Sequence, residues 1–271
     1  MLKRRVGQWL NIIGWDPRKI PMALKEWPEV RAERKAFKNH NLSIGAATEF
    51  PLGSNYYIFG ERSSDAGEAS GHYFHQDLLV AREIHQRNPS RHIDVGSRVD
   101  GFVAHVASFR DIEVIDVRPL KPTEGIHFIQ ADVMNLDSNF TGVTDSVSCL
   151  HALEHFGLGR YGDPIDPDGW RRGFDSLTRM LQPNGILYLS VPTGQNQRVE
   201  FNAHRVFSLP FLRDHVRHDY VIERCAFITD AGELLPDIDP DSPEAEQSFA
   251  AEYGCSVWVL RRADLEPELV Q

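Results

Sequence analysis

The stretch "HIDVGSRVDGF", residues 92–102, places an acidic residue on a short apolar run that breaks at a glycine. Asp94 lies within the run, Gly96 follows two residues later, and Gly101 closes the turn. A glycine just past a strand allows a sharp turn with positive φ, and a second one allows a ligand or the next helix to come close. Nucleotide-cofactor loops usually carry more glycines; here Ser97, Arg98, Val99 and Asp100 fill the interval. Alone the turn is ambiguous, and the neighbouring segments decide its role.

On both sides of it the chain alternates strand-like and helix-like segments. "HYFHQDLLVAREIHQRNPS" has apolar residues at helical spacing and a stop at Asn88 and Pro89. After the opening run, "GFVAHVASF" reads as a helix and "IEVIDV" as the second strand. "IHFIQADV", "DSVSCLHAL" and "GILYLSVP" read as the third, fourth and fifth strands, with the helix "GWRRGFDSLTRML" before the last. Such alternation predicts a parallel sheet with helices on both faces. "YVIERCAFIT" and "CSVWVLRRA" read as a terminal antiparallel pair around an acidic excursion, residues 230–254. Residues 1–70 form a helical and loop extension, expected as two short helices broken near Pro21 and Pro28, and residues 71–265 form the main domain.

Composition narrows the function. A net charge of −10 argues against a nucleic-acid partner, which would call for a basic field. Cys149, Cys225 and Cys255 are widely spaced with no CxxC pair, so buried thiols in a reducing, cytoplasmic setting are expected, and no zinc site. No segment approaches the roughly 20 apolar residues that span a bilayer. "MLKRRVGQWLNIIGW" mixes basic and apolar residues; a helix there suits packing on the protein or a partner, with peripheral membrane contact and self-association as further expectations.

In an open parallel sheet, ligands bind beyond the carboxyl ends of the strands. Asp116 ends the second strand, 22 residues after Asp94, where a carboxylate can accept from a ribose diol, with Val117 beside it. Asp132 follows the third strand, where it can accept from an adenine amino group while the Val133 backbone bonds a ring nitrogen. Helix capping and turn formation are the ordinary alternatives for both aspartates. "LHALEHFGLGRYGD" brings His151, Glu154, His155, Arg160, Tyr161 and Asp163 to the end of the fourth strand. "LSVPTGQNQRVEFNAHRVF" adds Asn196, Gln197 and His204 after the fifth.

Strand–Gly turn–helix, strand–Asp, strand–Asp, "LEH" and "NGILYLSVP" together resemble the class I S-adenosylmethionine-dependent methyltransferases over residues 72–262. The resemblance implies a Rossmann-like seven-stranded, mostly parallel sheet with an antiparallel C-terminal strand. It implies that Asp94, Gly96, Ser97 and Gly101 shape the methionine loop, that Asp116 and Val117 meet the ribose, that Asp132 and Val133 meet the adenine, and that His151 lines the cofactor. "HIDVGSRVDGFVAHV", "VIDVRPL" and "LHALEHFGLGRYGDPIDPDG" further resemble a methyltransferase-like family first catalogued as a domain of unknown function, associated with surface-polysaccharide and glycoconjugate pathways.

Methyl transfer to a hydroxyl needs alignment and a general base, for which His155 is the first candidate and His204 the second. His72 and His75 are candidates for a lid. Tyr56, Tyr57, Arg160, Tyr161, Asn196, Gln197 and Arg198 would suit a sugar or glycan acceptor. Asp163, Asp166 and Asp168 offer oxygen ligands for magnesium, though Asp-Pro steps are also turn formers. Two rival readings are a nicotinamide-dependent oxidoreductase or epimerase and a non-catalytic assembly protein on the same fold. The first would show G-x-G-x-x-G in the loop after the first strand and a Tyr-x-x-x-Lys pair; that loop is not G-x-G-x-x-G, and the chain has no Tyr-x-x-x-Lys. The second would close or fill the acceptor pocket with apolar side chains.

Overall fold

The computed structural model describes residues 19–45, 49–63, 66–67 and 69–263. The chain divides into two compact units, residues 1–68 and 69–271.

In the first unit, α1 (Lys19–Ser43) runs unbroken through Pro21 and Pro28. The expected break does not occur. Pro21 falls in the first turn, where its missing N–H would be unpaired in any helix, and Pro28 removes one bond from a helix rich in Ala, Leu, Lys, Glu and Arg. The next segment of the unit folds back on this helix. Trp27 packs edge-on against Tyr57 at 4.9 Å, Gly60 N–H donates to Glu26, and Arg62 pairs with Glu29 and Glu33. The basic–apolar stretch of residues 1–15, with its expected membrane or partner contact, lies outside the described residues.

Among the described residues, the main sheet of the second unit has eight strands: β1 (His92–Val95), β2 (Ile112–Asp116), β3 (Ile126–Gln130), β4 (Thr144–Leu150), β5 (Leu181–Thr193), β8 (Tyr220–Ile228), β9 (Leu234–Leu235) and β10 (Gly254–Arg262). A separate hairpin pairs β6 (Arg198–Glu200) with β7 (His204–Val206). The sheet order is β3-β2-β1-β4-β5-β10-β8-β9. The first five are parallel, and β10 inserts antiparallel between β5 and β8. This is the arrangement expected of a class I methyltransferase sheet, with the two-residue β9 added at the edge.

Among the described residues, five helices accompany the sheet: α2 (Gly71–Arg87), α3 (Ala104–Ala107), α4 (Gly169–Met180), α5 (Leu209–Val216) and the short α6 (Pro243–Glu246). Alternation along the strands feeds two cores. Trp258 and Leu260 of β10 join Trp170, Phe174 and Leu177 of α4 and Leu209 and Leu212 of α5. Val257 and Val259 join Leu79, Val80 and Ile84 of α2 with Phe102, Val103 and Val106. α2 stops where Asn88 takes a left-handed conformation, φ 45°, and returns its N–H to Ile84 O. No helix among the described residues is long and apolar enough to cross a membrane.

Candidate active site

The loop after β1 is held from beneath. Asp94 is fully buried, and its Oδ1 accepts from Ser97 Oγ at 2.5 Å and Ser148 Oγ at 2.6 Å while Oδ2 accepts from Ser97 N–H at 3.1 Å. Ser97 Oγ in turn accepts from Leu150 N–H, tying the loop to β4. Asp94 and Ser97 therefore shape the loop from the interior and do not line a cleft. Burial raises the Asp94 pKa to about 7, against the lowering effect of its Ser148 and Ser97 hydrogen bonds.

Gly96 itself lies at the cleft with φ +72°, and a Cβ there would sit 2.9 Å from the Ala152 Cβ. Gly96→Ala should therefore lower stability by at least about 1 kcal/mol, the cost of a left-handed alanine. Chemical denaturation measures this, and an unchanged midpoint and slope would contradict it. Gly101 meets α2 instead of the cleft: its Cβ position lies 2.7 Å from Asp77 Oδ2. The residues between the glycines separate. Arg98 lies over the Tyr73 ring at 4.8 Å on a cleft wall, whereas Asp100 is exposed and pairs with Arg98 at 3.0 Å.

Past the ends of β1, β2 and β3 lies a cleft lined by Gly96, Asp116, Val117, Asp132, Val133 and His155 among others. Both Asp116 oxygens are engaged by Arg118, at 3.0 Å from Nε and 2.7 Å from Nη2, and the guanidinium also lies 4.3 Å above the Tyr161 ring. Asp132 caps the turn Val133–Asn135, accepting from Met134 N–H at 2.9 Å and Asn135 Nδ2 at 2.7 Å. Val133 N–H, at the first position of that turn, has no acceptor within it. The cleft thus combines an apolar wall with a carboxylate at each expected place.

A second, polar cleft shares Gly96, Arg118, His155 and Tyr161 with the first. Tyr73, Arg98, His151, Glu154, Arg160, His204 and Tyr253 complete its wall. The turn Leu153–His155 supplies its floor, and Arg205 secures that turn by donating to the Glu154 and Phe156 carbonyls. His155 Nδ1 lies 2.7 Å from the Ala203 carbonyl, so Nδ1 carries the proton and Nε2 is the basic nitrogen. Glu154 Oε1 is 3.7 Å from Nε2. Burial lowers the His155 pKa, Glu154 opposes that shift and Arg160 adds to it. Burial likewise lowers His204, which packs on Tyr253 at 5.0 Å and whose ring centroid is 6.5 Å from that of His155.

His151, just past β4, has φ 50° and places Nδ1 2.9 Å from Glu154 Oε1. Its ring stacks on His72 at 5.1 Å and tilts against Tyr73. Burial would raise the Glu154 pKa, but His151 beside it holds the carboxyl below its ordinary value. His75 is apart from this group, with Nε2 3.1 Å from the Gly232 carbonyl.

Other expected contributors serve local structure. Asp163 accepts from the Gly157, Gly159 and Tyr161 N–H groups, Asp166 pairs with Arg172, and Asp168 pairs with Arg171. These three carboxylates form no common ligand set. Gln197 Oε1 accepts from Ser208, and Arg198 reaches Glu200 and the Glu252 carbonyl, so both brace the β6–β7 hairpin. The Asn196 carbonyl accepts from the same Arg198. Tyr56 and Tyr57 belong to the first unit, where Tyr57 packs on Trp27. Tyr73, Arg118 and Tyr253 also line the clefts and are not among the residues expected from the sequence. Of these, only Arg118 carried a signal, being two residues beyond the strand-ending Asp116.

A family model described as "Caenorhabditis protein of unknown function, DUF268" matches residues 125–213. No curated protein matches the chain. Among solved structures, the N-methyltransferase NodS from Bradyrhizobium japonicum WM9, in complex with S-adenosyl-L-homocysteine, is similar over 71% of this chain and 88% of its own, at 13% identity and a TM-score of 0.48. The [4+2]-cyclase SpnF is similar over 69% and 81%, at 14% identity and 0.49. The 1,6-didemethyltoxoflavin-N1-methyltransferase from Burkholderia thailandensis, with 1,6-didemethyltoxoflavin and S-adenosylhomocysteine bound, is similar over 74% and 94%, at 15% identity and 0.45. At these identities the likeness is one of chain trace.

Proposed function

We propose that this protein is an S-adenosylmethionine-dependent methyltransferase acting on a hydroxyl of a sugar or glycoconjugate. The observation that carries the reading is the pair of adjoining clefts at the carboxyl end of the sheet. One is suited to an adenosyl group and the other to a polar acceptor, and they meet at Gly96 and His155. An assembly protein would have no need of the second cleft, and apolar side chains do not fill it.

The residues present fit the cofactor. Gly96 leaves the space that a Cβ would take, Asp116 offers its carboxylate to the ribose, and Asp132 with the Val133 N–H flanks the adenine end. Arg118 holds Asp116 beforehand in a bidentate pair whose arginine is 49% and whose aspartate is 14% exposed, so a ribose diol has to displace Arg118 or share the carboxylate with it. When bound, S-adenosylmethionine supplies an activated methyl group on a sulfonium.

The chain's own residues then align the acceptor and manage its proton. Tyr73, Tyr161 and Tyr253 present aromatic faces, and Arg98 and Arg160 present donors, a lining suited to a carbohydrate. His155 takes the hydroxyl proton at Nε2, and Glu154 stabilises the imidazolium that forms. Incubation with S-adenosylmethionine carrying a labelled methyl group and a panel of mono- and oligosaccharides tests the reading. Label recovered as a methyl ether is the expected result. Label confined to nitrogen or carbon acceptors would overturn the hydroxyl assignment.

A further inference from the structure

Three side chains far apart in sequence converge beside the polar cleft. His72 from α2, His151 from the end of β4 and Cys255 from β10 each offer one ligand atom, and these atoms lie within 4.8 Å of one another. We propose that they form a zinc(II) site at the wall of that cleft.

Several independent observations point to a cation there. The His151 Nδ1 is held by Glu154, which leaves Nε2 as the ligating atom. That Nε2 is buried and has no hydrogen-bond partner, although buried polar atoms in folded proteins nearly always have one. The His151–Glu154 pair has the arrangement in which a metal-bound imidazole gives its other N–H to a carboxylate, fixing the ring and its tautomer. Glu154 Oε2 is also buried and unpartnered, a second unsatisfied polar atom in the same group. Finally, His151 adopts a left-handed backbone conformation, φ 50°, a strained choice for a residue other than glycine and one that concentrates at ligand sites.

The donor set selects the metal. Two imidazoles and a thiolate suit zinc, whereas magnesium and calcium take oxygen ligands. Three protein donors leave one position of a tetrahedral ion for water or a bound molecule. Binding forms one Zn–S and two Zn–N bonds and releases the Cys255 thiol proton to solvent. The spacing, residues 72, 151 and 255, resembles no linear zinc motif, and the sequence expectation of no zinc site was built on linear motifs.

The test uses the full chain and does not depend on methyl transfer. Metal-free protein is dialysed against zinc chloride and its metal content measured, and a parallel sample is loaded with cobalt(II) for optical spectroscopy. One zinc per chain and a thiolate-to-cobalt charge-transfer band are expected. Cys255→Ser and His72→Gln should each weaken zinc binding at least tenfold and abolish or shift the band. Glu154→Gln should weaken it by about 10–100-fold, the usual effect of removing a partner of a ligating histidine. Cys225→Ser should retain full binding, separating the site from adventitious thiol capture. His72 is only partly buried, so its variant keeps the test meaningful if Cys255→Ser misfolds. Wild-type protein that takes up no zinc, a cobalt form without the thiolate band, or binding unchanged in His72→Gln would overturn the assignment.

Discussion

His155→Gln is expected to lower turnover by about 10²–10⁴-fold, the usual contribution of a positioned general base, while S-adenosylhomocysteine affinity stays nearly unchanged. The geometry gives His155 this role ahead of His204. The Ala203 carbonyl accepts a hydrogen bond from Nδ1–H at 2.7 Å, so the base is Nε2, and His155 lines both clefts whereas His204 lines only the polar one. Burial holds the His155 pKa below its ordinary value, so the neutral base is in place at neutral pH. Turnover should therefore rise with pH along an acid limb whose midpoint lies below 6.5 and then level off. Glutamine can still donate toward Ala203 but cannot take a proton, so the residual activity should lose that limb. A variant with normal turnover, or one that keeps the acid limb, would remove His155 from the mechanism.

Asp94→Ala should destabilise the protein by about 3 kcal/mol. Three buried donors, Ser97 N–H, Ser97 Oγ and Ser148 Oγ, lose their acceptor together. Each unsatisfied group costs about 1–3 kcal/mol, offset in part because a buried carboxylate is removed with them. Against a total stability of about 5–15 kcal/mol, this is a large fraction. The polar chain beneath the loop extends further, from Ser148 to His92 at 3.1 Å and on to Ser146 at 2.7 Å, so the damage reaches the core of β1 and β4. Asp94 also gives the fold a pH dependence. With its pKa raised to about 7, the folded chain retains a proton that an unfolded aspartate releases near pH 3.9. The stabilising contribution is full below that lower value and is lost as pH rises through about 7. Denaturant titrations of wild type, Asp94→Ala and Asp94→Asn across pH 4–8 read both effects. Equal stability of Asp94→Ala and wild type, or a wild-type stability that climbs through this window on account of Asp94, would contradict the assignment.

The sheet was legible because its strands are apolar runs bounded by glycine, asparagine and proline. "HIDV", "IEVIDV" and "GILYLSVP" all lie on strands β1, β2 and β5, and the helix stop at Asn88 is a left-handed cap. The β6–β7 hairpin was not legible. "RVE" and "HRV" are three residues each, mostly polar, and are braced by Arg198 and Gln197 through contacts that no local pattern reveals. Proline was read too strongly in α1, where a long run of helix formers carries it.

The site divides the same way. Asp116, Asp132, Gly96 and His155 were visible as strand-end residues, since topology alone brings strand ends together. Asp94, Ser97 and Gly101 were visible as a loop signature, but the structure turns the first two inward and the third toward α2. Arg118 folding back on Asp116, and the meeting of His72, His151 and Cys255, depend on rotamers and on packing between distant elements.

Calorimetric titration with S-adenosylhomocysteine, run on wild type and on Asp116→Ala, is the decisive measurement for the cofactor cleft. Wild-type protein should bind one equivalent. Asp116→Ala should weaken binding by about 1–3 kcal/mol, roughly 5–150-fold, because the ribose diol loses a charged acceptor. Absence of binding to the wild type, or equal affinity in the variant, would contradict the adenosyl assignment of the cleft at the ends of β1, β2 and β3.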